Sequence, residues 1–263
     1  MKIRKGFTLV ELLVVISIIA VLLAILMPTL GSAREQGRAI VCGTHMKELA
    51  VSWMVYAMNN NDKLCGAFTY NNNYPNWGHK WDWVWSPYKI ETNMSVAING
   101  KCTLEQKKEG IKRGAFYKYN EKVEIYQCPS DKTGHLCSFS VPDCLSGREF
   151  ERSGANARWN VLTKLAQVKA PSSKYVFLEE SDYRTYNCDS WEGPDGENMK
   201  WRDAVIWWHR GSSNLAFADG HSIKRKWSRE TKDEFTARGG GGWEPVTAEG
   251  KEDLKYMLAG WAK

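Results

Sequence analysis

Positions 7–27 are almost wholly apolar and carry a single charge, Glu11. About 20 apolar residues at 1.5 Å rise match a hydrocarbon core of roughly 30 Å, so this run predicts a membrane-spanning helix. Beyond Pro28 the apolar pattern changes rather than ends. Ala39, Cys42, Met46, Leu49, Trp53 and Tyr56 recur in steps of three and four, with Ala50 and Ala57 beside them. That is one stripe of an amphipathic helix, and Arg38, Thr44, Lys47, Glu48 and Ser52 fall mostly outside it. The polar cluster at 59–62 stops the pattern. One helix over 7–58 is therefore expected, with 7–27 in the membrane and the second half lying against a head formed by 59–263.

The head reads as mixed. Residues 81–85 alternate Trp-Asp-Trp-Val-Trp as a strand would, and a charged stretch predicts a helix over about 103–119. Runs at 175–178 and 204–208 are strand-like. Asp219-Gly220 joins two further strand-like runs in a hairpin spanning 214–227, where the dipeptide predicts a type I′ turn with positive φ at both positions. After a Gly-rich break at 239–242, a short helical pattern covers 248–260. The expected class is α+β: a long N-terminal membrane-spanning helix packed on a small antiparallel β-sheet head.

The formal net charge of +6 is dispersed. Its densest basic run, Lys224-Arg225-Lys226, is accounted for by a solvated strand face, so nucleic acid is not an expected partner. Lys2, Arg4 and Lys5 precede the apolar run and should stay cytoplasmic, which sends the head outward. Seven cysteines then face an oxidising space. Disulfides are expected there, with Cys128, Cys137 and Cys144 close enough for a local staple. No Cys-x-x-Cys pair points to zinc.

Glu11 is the anomaly of the apolar run, because a carboxylate in a membrane helix costs a few kcal/mol. The string Lys5-Gly6-Phe7-Thr8-Leu9-Val10-Glu11-Leu12-Leu13 resembles the processing signal of type IV pilins and of the pseudopilins of type II secretion. The resemblance implies a leader of residues 1–6, removed by a prepilin peptidase that cuts after Gly6 and methylates the new N-terminal Phe7. It also implies that Glu11 pairs with the free amine of a neighbouring subunit as helices bundle, and that Pro28 sits at the family's helix kink. The implied location is the inner membrane, single-pass, with the head in the periplasm or outside the cell. Farther on, His209 followed after nine residues by Asp219-Gly220 resembles a C-terminal signature of pilin-like families. Cys42 with Lys47-Glu48-Leu49, and Cys128-Pro129-Ser130-Asp131, also look like those families.

Candidate chemistry in the head has competing readings. His209 is read as structural, packed near the hairpin, with metal ligation as the alternative. Glu179, Glu180 and Asp182, with His209 nearby, offer a set that would take a metal, and oxygen donors on a loop suit Ca²⁺. Asp189, Asp195 and Glu197 extend that acidic region. No motif demands a cofactor. The Trp-rich stretch holding Trp77, Trp81, Trp83 and Trp85 is either core or a stacking platform for polysaccharide. No Gly-x-Ser-x-Gly, His-Glu-x-x-His or phosphate-binding loop is present, so an enzyme is not expected. The expected function is a pilin-like structural subunit of a secretion pseudopilus or pilus-like filament, assembling with other pilin-like subunits. The alternative is a membrane-anchored surface module binding polysaccharide or another envelope ligand.

Overall fold

The structure, a computed structural model, describes residues 8–70, 81–89, 94–95, 102–147, 161–180 and 190–261. Gly6, Phe7, Trp77, Asp182 and Asp189 lie outside the described residues. A single helix, α1, covers Leu9–Asn59 and is continuous across Pro28. It starts two residues later than expected because Thr8 is its N-cap. The Thr8 side chain accepts from the Glu11 backbone N–H, and the Glu11 carboxylate accepts from the Thr8 N–H at 2.9 Å. This reciprocal pair satisfies donors that a helix start otherwise leaves orphaned.

Two halves of α1 have different surroundings. From Leu9 to Met27 every large apolar side chain is exposed. From Ala39 onward the stripe Ala39, Cys42, Met46, Leu49, Trp53 and Tyr56 is buried in the head, as the periodicity predicts. Gly43 lets the helix approach the sheet: a Cβ there would meet Ser222 Oγ at 3.2 Å. That hydroxyl donates to the Gly43 carbonyl at 3.1 Å.

The sheet under α1 has five strands: β5 (Phe139–Pro142), β6 (Tyr175–Glu179), β7 (Ser190–Trp191), β8 (Ser212–Phe217) and β9 (Ser222–Lys226), in the order β7-β5-β6-β8-β9. The expected antiparallel pairing holds for β5-β6, β6-β8 and β8-β9, while the edge strand β7 runs parallel to β5. β7 lies on the side of β5 away from β6 and runs opposite to β6. A separate parallel pair joins β1 (Gly66–Tyr70) to β2 (Asp82–Trp85), and β3 (Tyr88–Lys89) pairs with β4 (Met94–Ser95).

Three local expectations are corrected. The helix expected over 103–119 is broken into α2 (Leu104–Arg113) and α3 (Tyr117–Asn120) at Gly114. A Cβ at Gly114 would stand 2.3 Å from the Trp83 carbonyl, so chain contact with β2 decides the break. Residues 204–208 form no strand. The two sides of β8 are already taken by β6 and β9, so Val205 is buried from a loop instead.

The hairpin turn is likewise not type I′. Among the described residues Gly220 has φ +89° and Asp219 is not in the positive-φ set. The Gly220 N–H donates to the Phe217 carbonyl at 2.9 Å, and the Phe217 N–H to that of His221 at 2.9 Å. That is a three-residue loop closed by a left-handed glycine, the next commonest way to join two strands.

Two C-terminal helices, α4 (Arg229–Arg238) and α5 (Ala248–Gly260), finish the fold. Sequence periodicity shows the second but not the first, since α4 buries only Thr231 and Phe235. The Asp253 carboxylate ties them to the sheet, accepting from Arg225, the Ser228 N–H and the Thr231 hydroxyl at 2.8–2.9 Å.

Candidate functional site

The chemistry-bearing residues fall into two places, the start of α1 and the seam between α1 and the head. At the start, the Glu11 carboxylate is exposed and, among the described residues, engaged only by its own N-cap residue, including the Thr8 hydroxyl at 2.7 Å. Around it stands an apolar surface with a window of mean hydropathy 3.2, none of it buried, long and apolar enough to cross a membrane.

At the seam, four side chains from four segments converge. Cys42 comes from the buried stripe of α1. Cys128 follows a single 3-10 turn, Glu124–Tyr126, and its carbonyl accepts from the Asp131 N–H at 3.0 Å in a tight reversal. Glu179 is the last residue of β6. His209 precedes Arg210 and Gly211, whose φ values of +57° and +83° turn the chain back into β8. The ligating atoms of these four residues all lie within 4.8 Å of one another, and all four residues are buried.

Contacts within the cluster are short and shared. Cys42 Sγ is 2.9 Å from Glu179 Oε1. His209 Nε2 is 2.8 Å from the same oxygen and 3.3 Å from Cys128 Sγ. His209 Nδ1 faces Glu35 Oε1 at 2.8 Å, one helical stretch upstream of Cys42 on α1. Around them, the Asn214 amide donates to Glu179 Oε1 at 3.3 Å and to the Ala39 carbonyl at 3.0 Å. The Ser130 N–H points at Cys128 Sγ, at 3.4 Å, while its hydroxyl donates to Glu35. Glu179 Oε2 is buried with no hydrogen-bond partner among the described residues.

These neighbours shift one another. Burial pushes the Cys42 thiol well up, with Cys128 and Glu179 adding to it. Cys128 goes down, chiefly because the Cys42 thiol donates to it. Burial alone would lower His209, but Cys128 and Glu179 beside Nε2 outweigh it and raise the imidazole to about 10. Glu35 is held below the ordinary carboxylate range despite burial, by the Ser130 hydroxyl and by His209. The surroundings of Nε2 thus favour positive charge.

Other expected residues go elsewhere. Asp219 does not approach His209; its carboxylate pairs with His221 two residues on. Glu180 accepts from the Ser140 hydroxyl and stands apart from the cluster. Asp195 is occupied by the backbone of Glu197 and Asn198, the Asn198 amide and Arg202, the last at 2.7 Å. Cys128 is a thiol turned to His209 and is not part of a local disulfide staple. Of the two readings of the Trp-rich stretch, core describes Trp83 and Trp85, which are buried, and Trp83 stacks on Tyr126 with ring centroids 6.1 Å apart. Trp81 is 46 % exposed. Nothing in the sequence pattern joins Cys42 and Cys128 to Glu179 and His209. The signal available was a cysteine on a buried helical stripe and a Cys-Pro turn.

Comparison with known proteins points at the N-terminal segment. Residues 1–27 match the prokaryotic N-terminal methylation motif. The chain is 41% identical over 61 residues to the type IV wide pilus major component PilA4 of Thermus thermophilus, over 23% of this chain and 47% of that protein. The chain thus spans about half the length of that curated relative. No solved structure matches the chain.

Proposed function

We propose that this chain, type IV pilin-like in its N-terminal segment, is a membrane-stored structural subunit that assembles with other pilin-like subunits through α1. A prepilin peptidase releases residues 1–6 and methylates Phe7. The subunit waits in the inner membrane with its head on the outer side, held in that sense by Lys2, Arg4 and Lys5. It then enters a type II secretion pseudopilus or a type IV pilus-like filament. The observation that carries this reading is the division of α1. Its head-proximal half is built into the core, while its first 19 residues, Leu9 to Met27, are apolar and unburied. An apolar surface of that extent needs lipid or other helices around it, and a subunit moving from membrane to filament core meets both in turn.

Mass spectrometry of the chain recovered from its native membrane tests the proposal. The expected N-terminus is N-methylated Phe7. An intact Met1, or a cut beyond Pro28, would overturn it.

A further inference from the structure

We propose that Cys42, Cys128, Glu179 and His209 form a closed, structural site for a zinc ion that fastens α1 to the head. The proposal stands on the geometry of the head and does not rest on the filament reading.

Donor identity comes first. Two thiols, an imidazole and a carboxylate make a four-ligand set for a borderline-soft divalent ion. Calcium takes six to eight oxygen ligands, and this cluster offers one carboxylate beside two sulfurs. With Zn–S of about 2.3 Å and Zn–N or Zn–O of about 2.0–2.2 Å, the edges of a tetrahedron run about 3.3–3.8 Å. The contacts of 2.8, 2.9 and 3.3 Å are shorter than the matching edges by up to about 0.7 Å, and all four atoms lie within 4.8 Å of one another, so side-chain shifts of a few tenths of an ångström would admit the ion.

Proton counting comes second. His209 Nε2 faces both Cys128 Sγ and Glu179 Oε1, and Oε1 is also the target of Cys42 and Asn214. A single N–H cannot serve two acceptors well. With an ion at the centre, Nε2, Oε1 and both sulfurs become ligands. The remaining proton sits on Nδ1 and is donated to Glu35, the carboxylate–histidine–metal arrangement that fixes a ligating imidazole. Ser130 N–H and Asn214 then support a thiolate and a carboxylate oxygen respectively.

Charge comes third. Glu179 is 1 % exposed, and among the described residues His209, with no lysine or arginine, is its cationic partner, although the same ring also faces Glu35. One imidazole shared by two carboxylates beside two ionisable thiols leaves negative charge that a divalent cation would balance. A surface cleft of about 440 Å³ lined by Glu35, Arg38, Ser130, Lys132, Thr133 and Trp208 lies next to the cluster, since its Glu35 and Ser130 contact His209 and Cys128. Four protein ligands leave no open position, so the ion's role is to join four segments distant in sequence rather than to activate water.

Two rivals fit the same atoms: a Cys42–Cys128 disulfide, and an imidazolium held between Glu35 and Glu179 with no metal. The full-length chain, purified in detergent without a metal-affinity step, separates them. Elemental analysis should find about one zinc per chain, falling to background in Cys42→Ser and in His209→Gln. Exchange with Co²⁺ should give a sulfur-to-cobalt charge-transfer band in the near ultraviolet. Should those variants fail to fold, two further measurements decide. In the wild-type chain a strong chelator should lower the melting temperature and Zn²⁺ should restore it. In Glu35→Gln, which keeps all four ligands, zinc affinity measured against a chromophoric chelator should fall about 10- to 100-fold. A wild-type chain that binds no zinc even when reduced, or a Cys42–Cys128 disulfide found by non-reducing peptide mapping, would overturn the site. An unchanged affinity in Glu35→Gln would overturn the role given to Glu35.

Discussion

Two single residues separate local from intermolecular needs. Glu11 completes the N-cap in the isolated chain, yet its charge is costly in lipid. Glu11→Gln keeps an acceptor for the Thr8 N–H but loses the charge, whereas Glu11→Ala loses both. If the charge serves a neighbouring subunit's amine, both variants should insert at least as well as wild type and both should assemble poorly. Sheared-filament yield against membrane-bound subunit reads this, and normal assembly of the Gln variant would reduce Glu11 to a capping residue. Gly220 tests the turn. At φ +89°, and with Met54 Cε 3.3 Å from where a Cβ would sit, Gly220→Ala should destabilise the head by about 1 kcal/mol or more, read as a lower melting midpoint. The Asp219-Gly220 dipeptide announces the hairpin legibly because only glycine adopts that φ freely. It does not announce the turn type, which is set by whether the strands enter in register for two loop residues or three.

Elements show where a one-dimensional pattern is sufficient. The second half of α1 was readable because its burial follows a 3.6-residue period on one face of a regular helix. β2 was readable as a strand but not for what it does. Residues 82–85 are buried on both faces, so the tryptophan alternation could not separate a platform from a core. The cluster at the seam was not readable at all. Its members are carried by α1, a turn, β6 and a loop, and only the sheet order brings them together. α4 was hidden for a related reason: it is held by polar contacts at its ends more than by an apolar stripe. One of these gives a pH test. Glu230 accepts from the Val246 and Thr247 N–H groups and the Thr247 hydroxyl, which hold it below the usual carboxylate range although burial pushes the other way. A depressed folded pKa adds stability above the unfolded value of about 4.3, and that stability is lost as pH falls through the folded value. Glu230→Gln should therefore melt lower than wild type at neutral pH. The gap should begin to narrow below the unfolded value of about 4.3 and close only once the pH has fallen through the lower folded value, where wild type is itself protonated. A gap that stays constant with pH would assign the loss to packing.

At the scale of the whole molecule the chain is a stem and a head that share one helix, and the question is where the head's fold begins. The large aromatics make the head dense: Trp53, Trp83, Trp191, Trp201, Trp227 and Trp261 are all fully buried. The first of them sits on α1, so the head cannot close without that helix. Burial on α1 starts at Ala39, and the first side chain of the seam cluster is Glu35. Among the described residues, 8–31 contribute exposed apolar surface and no buried side chain. A chain starting at Ser32 should thus keep every seam contact, remain monodisperse without detergent, and melt cooperatively within a few degrees of the full chain. A chain starting at Met46 loses Glu35, Ala39, Cys42 and the Gly43–Ser222 approach together. Because Asn214, Ser222, Glu179 and His209 would then lack their helical partners in a buried seam, it should melt far lower or not fold. Parallel thermal melts and size-exclusion profiles of the two truncations decide the matter. Equal stability of both would mean that the head closes without the α1 seam.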